Sequence, residues 1–242
     1  MKNPICISTG VLYQITDDRN KMIKLIKRYN PQGIEMSFAY SKYLLDFKIS
    51  KSNVRYLQKL NFNSIHAPWK DITYKRNRKT KQIMDKIIEL YLLIKAKNVV
   101  FHRNTINNLR SIIDPDISPS LENDDWKGPW ETIDKIRNVV DNYPSLRLTF
   151  DYAHALTVSS MSVPDYLRNY RDMLSEIHIS FLGRDMTDHG FLFQHDLLHL
   201  RNISQLSKNT YAPFVLECVV PCPAKVDLLK KEVTYIKSAV LS

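Results

Sequence analysis

Apolar runs of four to six residues recur along this chain at intervals of about thirty residues, and the stretches between them carry apolar residues at helical spacing. Residues 5–9, 33–37, 63–66, 98–102, 119–122, 146–151, 176–179 and 213–217 read as strands. All are largely apolar, as expected of a sheet buried on both faces. Between them, Ile83, Ile87, Tyr91 and Ile94, and near the end Val226, Leu229, Val233 and Ile236, mark one face of a helix. Strand alternating with helix eight times predicts an α/β fold, a parallel sheet covered by helices and closed as a (β/α)8 barrel. Asn30-Pro31-Gln32-Gly33 stops the first helix, Asp141-Asn142-Tyr143-Pro144 the fifth, and Pro164-Asp165 opens the sixth. With 242 residues, 44% of them hydrophobic, and no linker or low-complexity break, one domain over 1–242 is expected.

The polar residues that end these runs carry the chemistry. Glu122, Asp151, His178 and Glu217 each close an apolar run, as do His66 and His102, and His154 stands three residues past Asp151. In a (β/α)8 barrel the C-terminal strand ends form one face, so these side chains are expected to converge. Oxygen and imidazole donors without thiolate suit Zn, Mn, Co or Fe, and clustered carboxylates in a dry barrel mouth are costly unless a cation neutralises them. Any one of these residues could be an ordinary hydrogen-bonded side chain; six in register argue for a ligand.

Composition narrows the partners. Thirty-five Lys and Arg against 25 Asp and Glu give a net charge of +10, a field that favours nucleic acid or small phosphorylated substrates. No apolar stretch approaches the ~18 residues needed to span a bilayer, and the first residues lack a signal-peptide core, so a cytoplasmic protein with no membrane partner is expected. The three cysteines, Cys6, Cys218 and Cys222, read as reduced thiols. Lys75, Arg76 and Arg78 lie in a basic loop before the helix that follows the His66 strand, where a phosphate would find both cations and a helix N-terminus. Trp69, Trp126 and Trp130 fall on rim loops, where their faces could stack on a sugar or base. Glu35 reads as ending the second strand within reach of the pocket. His195 and His199 read as surface or packing residues on one face of the seventh helix. P-loop, dinucleotide-glycine and Gly-x-Ser-x-Gly motifs are absent from the sequence.

The strand endings resemble those of the xylose-isomerase-like TIM barrel superfamily, which joins endonuclease IV (AP endonuclease family 2) with sugar and sugar-phosphate isomerases and epimerases. The segments that carry the likeness are His66-Ala-Pro, Val100-Phe-His102, Leu121-Glu122-Asn123, Asp151-Tyr-Ala-His154-Ala, His178-Ile-Ser180, Asp188-His189 and Leu216-Glu217, spread over nearly the whole chain. The resemblance implies one ion held by Glu122, Asp151, His178 and Glu217. In the isomerases, carboxylates resembling Glu122 and Glu217 move a proton on and off a carbon that a metal-polarised carbonyl has acidified. Arg184 resembles a substrate-binding arginine of some epimerases.

In endonuclease IV, histidines resembling His66 and His102 join these ligands, with the residue resembling Glu122 bridging. A third zinc is held there by residues resembling His154 and His189 plus an aspartate. Here the aspartate expected two residues before His189 is Thr187, so Asp185 or Asp188 has to stand in, and Gly190-Phe-Leu-Phe193 replaces the Gly-x-Gly that often follows. Because His66 and His102 exceed what one isomerase ion needs, the sequence favours a divalent-metal phosphoester hydrolase, with zinc first among the metals. Its substrate is expected to be phosphorylated or sugar-like, with DNA among the candidates. The alternative is a one-metal sugar or sugar-phosphate isomerase or epimerase with Glu122 and Glu217 as acid–base pair. A third reading is a barrel that binds metal or ligand without turnover.

Overall fold

In the computed structural model, described here for residues 2–123, 139, 141–157, 163–182, 189–195 and 197–241, eight parallel strands close into a barrel in sequence order. They are β1 (Ile5–Ser8), β2 (Gly33–Ser37), β3 (Phe62–His66), β4 (Asn98–His102), β5 (Pro119–Glu122), β6 (Arg147–Asp151), β7 (Leu174–Ile179) and β8 (Phe214–Leu216), with β8 pairing back onto β1. The outer helices among the described residues are α1 (Arg19–Ile26), α2 (Ser41–Leu45), α3 (Lys51–Leu57), α4 (Arg78–Ile94), α5 (Tyr152–Thr157), α6 (Val163–Tyr170), α7 (Leu198–Asn209) and α8 (Leu228–Leu241). None is long and apolar enough to cross a membrane. The expected punctuation is in place: α1 runs into a short turn closed by Asn30 at φ 47°, and Pro164 sits in the first turn of α6. The expected fifth helix lies mostly outside the described residues, although Asp141 and Asn142 are helical.

Alternation along each strand separates two interiors. Ile5 and Ile7, Ile34 and Met36, Val99 and Phe101, Leu148 and Phe150, Ile177 and Ile179, and Phe214 and Leu216 belong to the large core that packs the helices onto the barrel. Cys6, Phe62 and Val215 form a separate small cluster that plugs the barrel interior. Gly33 belongs to that plug, because a Cβ there would collide with the Phe62 carbonyl oxygen and the Cys6 sulfur. The same alternation puts a polar layer next in line: Asn98 Nδ2 donates to Ser120 Oγ at 2.8 Å, and Ser120 Oγ lies 2.7 Å from Thr149 Oγ1.

Register then brings the chemistry to one level. Ser37 pairs with His66, His102 with Glu122, and Asp151 with His178 across adjacent strands. Glu217 follows the last residue of β8, and its N–H donates to the Ile179 carbonyl at 3.1 Å. His195 and His199 depart from the expected shared helix face, because α7 begins only at Leu198 and His195 ends a short turn before it. Both are packing residues: His195 stacks on Phe181 with ring centroids 3.6 Å apart, and buried His199 meets the Tyr152 hydroxyl at 2.8 Å. All three cysteines are free thiols.

Candidate metal centre

Asn123 explains the local geometry of the Glu-Asn and Asp-x-x-His segments. Its side-chain amide donates to the Asp151 carbonyl at 3.0 Å and accepts from the Asp151 N–H at 2.7 Å, pinning β5 to β6. The Asn123 carbonyl accepts from His154 Nδ1 at 2.9 Å, while the His154 N–H donates to Asp151 Oδ1 at 2.7 Å as α5 begins. With Nδ1 committed as donor, His154 keeps Nε2 as its lone-pair nitrogen. His66 Nδ1 faces the Ala67 carbonyl at 3.2 Å, which leaves its Nε2 in the same role.

His178 stands at the centre. Its Nδ1 lies 2.8 Å from Glu122 Oε1, 3.2 Å from Glu217 Oε2 and 4.0 Å from Asp151 Oδ2. On the other side of the ring, Nε2 lies 3.3 Å from Glu176 Oε1 and 3.2 Å from Glu35 Oε2, both fully buried. A proton on Nε2 directed at those carboxylates frees the Nδ1 lone pair for a cation among the three outer carboxylates.

Glu122 faces two ways. Oε1 meets His178, whereas Oε2 lies 3.4 Å from His66 Nε2 and 3.2 Å from His102 Nε2 without hydrogen-bonding orientation to either. Among the described residues five groups have their donor atoms within 4.8 Å of one another: Glu122, Asp151, His178 and Glu217; His66, His102 and Glu122; Asp151, His154 and His189; His66, His178 and Glu217; and Glu35, Glu176 and His178. Asp151 supplies the carboxylate of the third group. Asp185 and Asp188, expected for that position, lie outside the described residues.

The donor set fits cations. Glu122 Oε2 and Asp151 Oδ2 are buried without a hydrogen-bond partner, an arrangement that costs free energy unless a positive charge sits against them. With side chains alone, protons on imidazoles perform that neutralisation. Burial opposes charge on His66 and His154, yet the surrounding carboxylates, Glu122 foremost for His66 and Asp151 for His154, push both up to about 9. His178 is likewise raised despite its burial, by Glu217, Glu35 and Glu122. Burial takes His102 down to about 3, keeping it neutral, and takes Asp151 up to about 7. For Glu217, burial is outweighed by His178, which brings the carboxyl to about 2.

A cavity of about 500 Å³ opens above these groups and is lined by His66, His102, Glu122, Asp151, His154, His189 and Glu217. Trp69 forms part of its wall, stacked on His102 with centroids 5.2 Å apart and tilted against His66 at 4.6 Å. Lys75, Arg76 and Arg78 do not line the cavity. They are exposed, and the helix N-terminus beside them is capped by Asn77 Oδ1, which accepts from the Thr80 N–H at 2.8 Å. Arg184, Trp126 and Trp130 lie outside the described residues. Glu35 is in the middle of β2 and packs beneath His178 rather than reaching the cavity. Glu176 escaped the sequence reading, although its place two residues before His178 puts both on one strand face. Arg19 at the start of α1, Tyr40 just before α2 and Tyr43 within it also line the cavity, and they left no periodic signal.

No protein-family model and no curated protein matches the chain by sequence. Solved structures match it by fold over nearly its whole length. A D-allulose 3-epimerase from Methylomonas sp. superposes with a TM-score of 0.69 at 15% identity, covering 98% of each chain. Endonuclease IV from Thermus thermophilus does so at 0.65 and 14% identity, covering 97% of this chain and 98% of that one. A xylose isomerase domain protein from Alicyclobacillus acidocaldarius reaches 0.71 at 9% identity, with 99% of both chains covered.

Proposed function

We propose that the protein, whose fold is shared with the xylose-isomerase-like barrels, is a divalent-metal phosphoester hydrolase of the endonuclease IV type, acting on a phosphorylated sugar or on DNA. The observation that carries this reading is the double orientation of Glu122, whose oxygens face His178 on one side and the His66/His102 pair on the other. One ion would be held by Glu122, Asp151, His178 and Glu217, a second by His66, His102 and Glu122, and a third by Asp151, His154 and His189. Zinc suits these oxygen and imidazole donors. Bound ions would supply a hydrolytic nucleophile at neutral pH and charge stabilisation for the phosphoryl oxygens.

The chain's own residues do the remainder. Buried Glu176 and Glu35 orient the His178 ring, Asn123 fixes His154 and Asp151, and Trp69 offers a flat wall beside the histidines. Glu217 and Glu122 are the carboxylates placed to hold or move a proton at the reacting centre. Their approach to a single point, Nδ1 of His178, at 3.2 and 2.8 Å also favours the second reading, a one-ion sugar epimerase with this pair as acid and base. Turnover of abasic-site DNA and simple phosphodiesters, run beside a panel of ketoses, separates the two. Phosphoester cleavage alone supports the proposal, ketose turnover alone replaces it with the epimerase, and turnover of neither leaves a binding barrel.

A further inference from the structure

Arg19 is a buried cation that forms no ion pair among the described residues. It opens α1 and is only 8% exposed. Its Nε donates to the Ser37 carbonyl at 3.3 Å and its Nη1 to the Asp17 carbonyl at 2.8 Å. Tyr43 and Phe38 rings lie against the guanidinium, with centroids at 4.6 and 5.3 Å. Among the described residues no carboxylate stands within ion-pair distance of it. Asp17, which lines the same cavity, acts on Arg19 through space without an ion pair, and Asp18 spends Oδ1 on the Asn20 and Lys21 N–H groups. Burial weakens its proton affinity, opposed by Tyr43 and Asp17. Two carbonyls and the field of Asp17 leave the charge without a close ion pair among the described residues, and a half-desolvated guanidinium gains most from a phosphate or carboxylate that takes its remaining donors.

The position of Arg19 says where that anion would come from. Arg19 lines the same cavity as His66, His102 and Glu122, and Ser37, whose carbonyl anchors it, is the strand partner of His66. Tyr40 and Tyr43 line the same cavity, and Lys70 reaches over the Tyr40 ring at 5.6 Å, adding a second cation on that side. The cavity therefore has an anion-accepting group at the β1–β2 rim, aromatic walls, and the ligand cluster deeper in. We propose that Arg19 selects substrates carrying a second phosphate beyond the one that reacts. This rests on the phosphoester reading of the metal centre and adds to it a requirement for a bis-anionic substrate. The second phosphate has two sources, the far end of a small bisphosphate or the neighbouring phosphate of a nucleic-acid strand.

The test is calorimetric binding of thymidine 3′-monophosphate, 5′-monophosphate and 3′,5′-bisphosphate to the zinc-loaded protein and to Arg19→Gln and Arg19→Lys. In the parent the bisphosphate should bind at least about 10-fold more tightly than either monophosphate, the scale expected for a charge-assisted phosphate contact. Arg19→Gln should reduce that advantage below about 2-fold, and Arg19→Lys, which keeps a point charge but loses the planar fork, should retain part of it. Unaltered zinc content in both variants reports an intact centre. A bisphosphate advantage that survives in Arg19→Gln overturns the proposal, as does a parent that cleaves phosphodiesters yet shows no such advantage. A parent that turns over ketoses and prefers no phosphate defeats the hydrolase reading itself, a different result. Oligothymidylates identify the source: affinity that keeps rising with length points to a strand, and affinity that stops at the bisphosphate points to a small molecule.

Discussion

His178 meets Glu122 through one ring nitrogen and Glu176 through the other, at 2.8 Å from Nδ1 and 3.3 Å from Nε2. The two contacts divide the work: with a proton on Nε2 directed at the buried carboxylate, Nδ1 would be left for a cation in the outer cluster. Replacing Glu176 by Ala should therefore weaken zinc binding by about 10- to 100-fold, although Glu176 is not itself in the outer cluster. Competition against a fluorescent chelator measures this, and unchanged affinity would show that Glu35, at 3.2 Å from the same nitrogen, suffices alone.

Asp151 belongs to two ligand groups and His154 to one. Asp151→Asn should consequently lose more bound metal than His154→Ala, by about one equivalent, because a carboxamide neither neutralises a cation nor bridges. Elemental analysis of both variants decides it; equal losses would detach Asp151 from one of its groups.

Protons and cations compete for these imidazoles. A metal ligand must be neutral, whereas in the protein alone His66 and His154 are held at about 9, so each stays protonated below that pH. Metal binding should thus release protons, and affinity should climb as pH is raised toward 9 and fall as pH drops. Calorimetry of zinc binding in buffers of different ionisation enthalpy counts the protons; a flat affinity between about pH 6 and 9 would contradict the assignment of these two residues as ligands.

Asn123 is buried and joins β5 to β6 with both ends of its amide. Asn123→Ala leaves the Asp151 N–H and carbonyl without those partners, a loss of about 1–3 kcal/mol. The urea midpoint should move down accordingly, and a midpoint within error of the parent would remove Asn123 from the account of how the mouth is held.

The barrel was legible because short apolar runs and helical stripes alternate along the chain, and because His66, His102, Glu122 and Asp151 each end a strand. Those endings converge as expected. What could not be read depends on closure: Asp151 reaches the third group only because Asn123 and α5 turn His154 toward it. Arg19 reaches the cavity from the first residue of α1, where the helical spacing of apolar residues gives no sign of it. The basic loop stands away from the cavity: Asn77 caps its helix by accepting from the Thr80 N–H, and Lys79 and Lys81 find Asp71 and Asp85.

The central claim is that Glu122 bridges two cation sites, and metal content of His102→Ala beside the parent tests it most directly. The parent should hold two or three equivalents of zinc, and His102→Ala should hold about one fewer and lose phosphoesterase activity, because the group of His66, His102 and Glu122 is left with two ligands. Full retention of metal in His102→Ala, or a parent that holds a single equivalent, would contradict it.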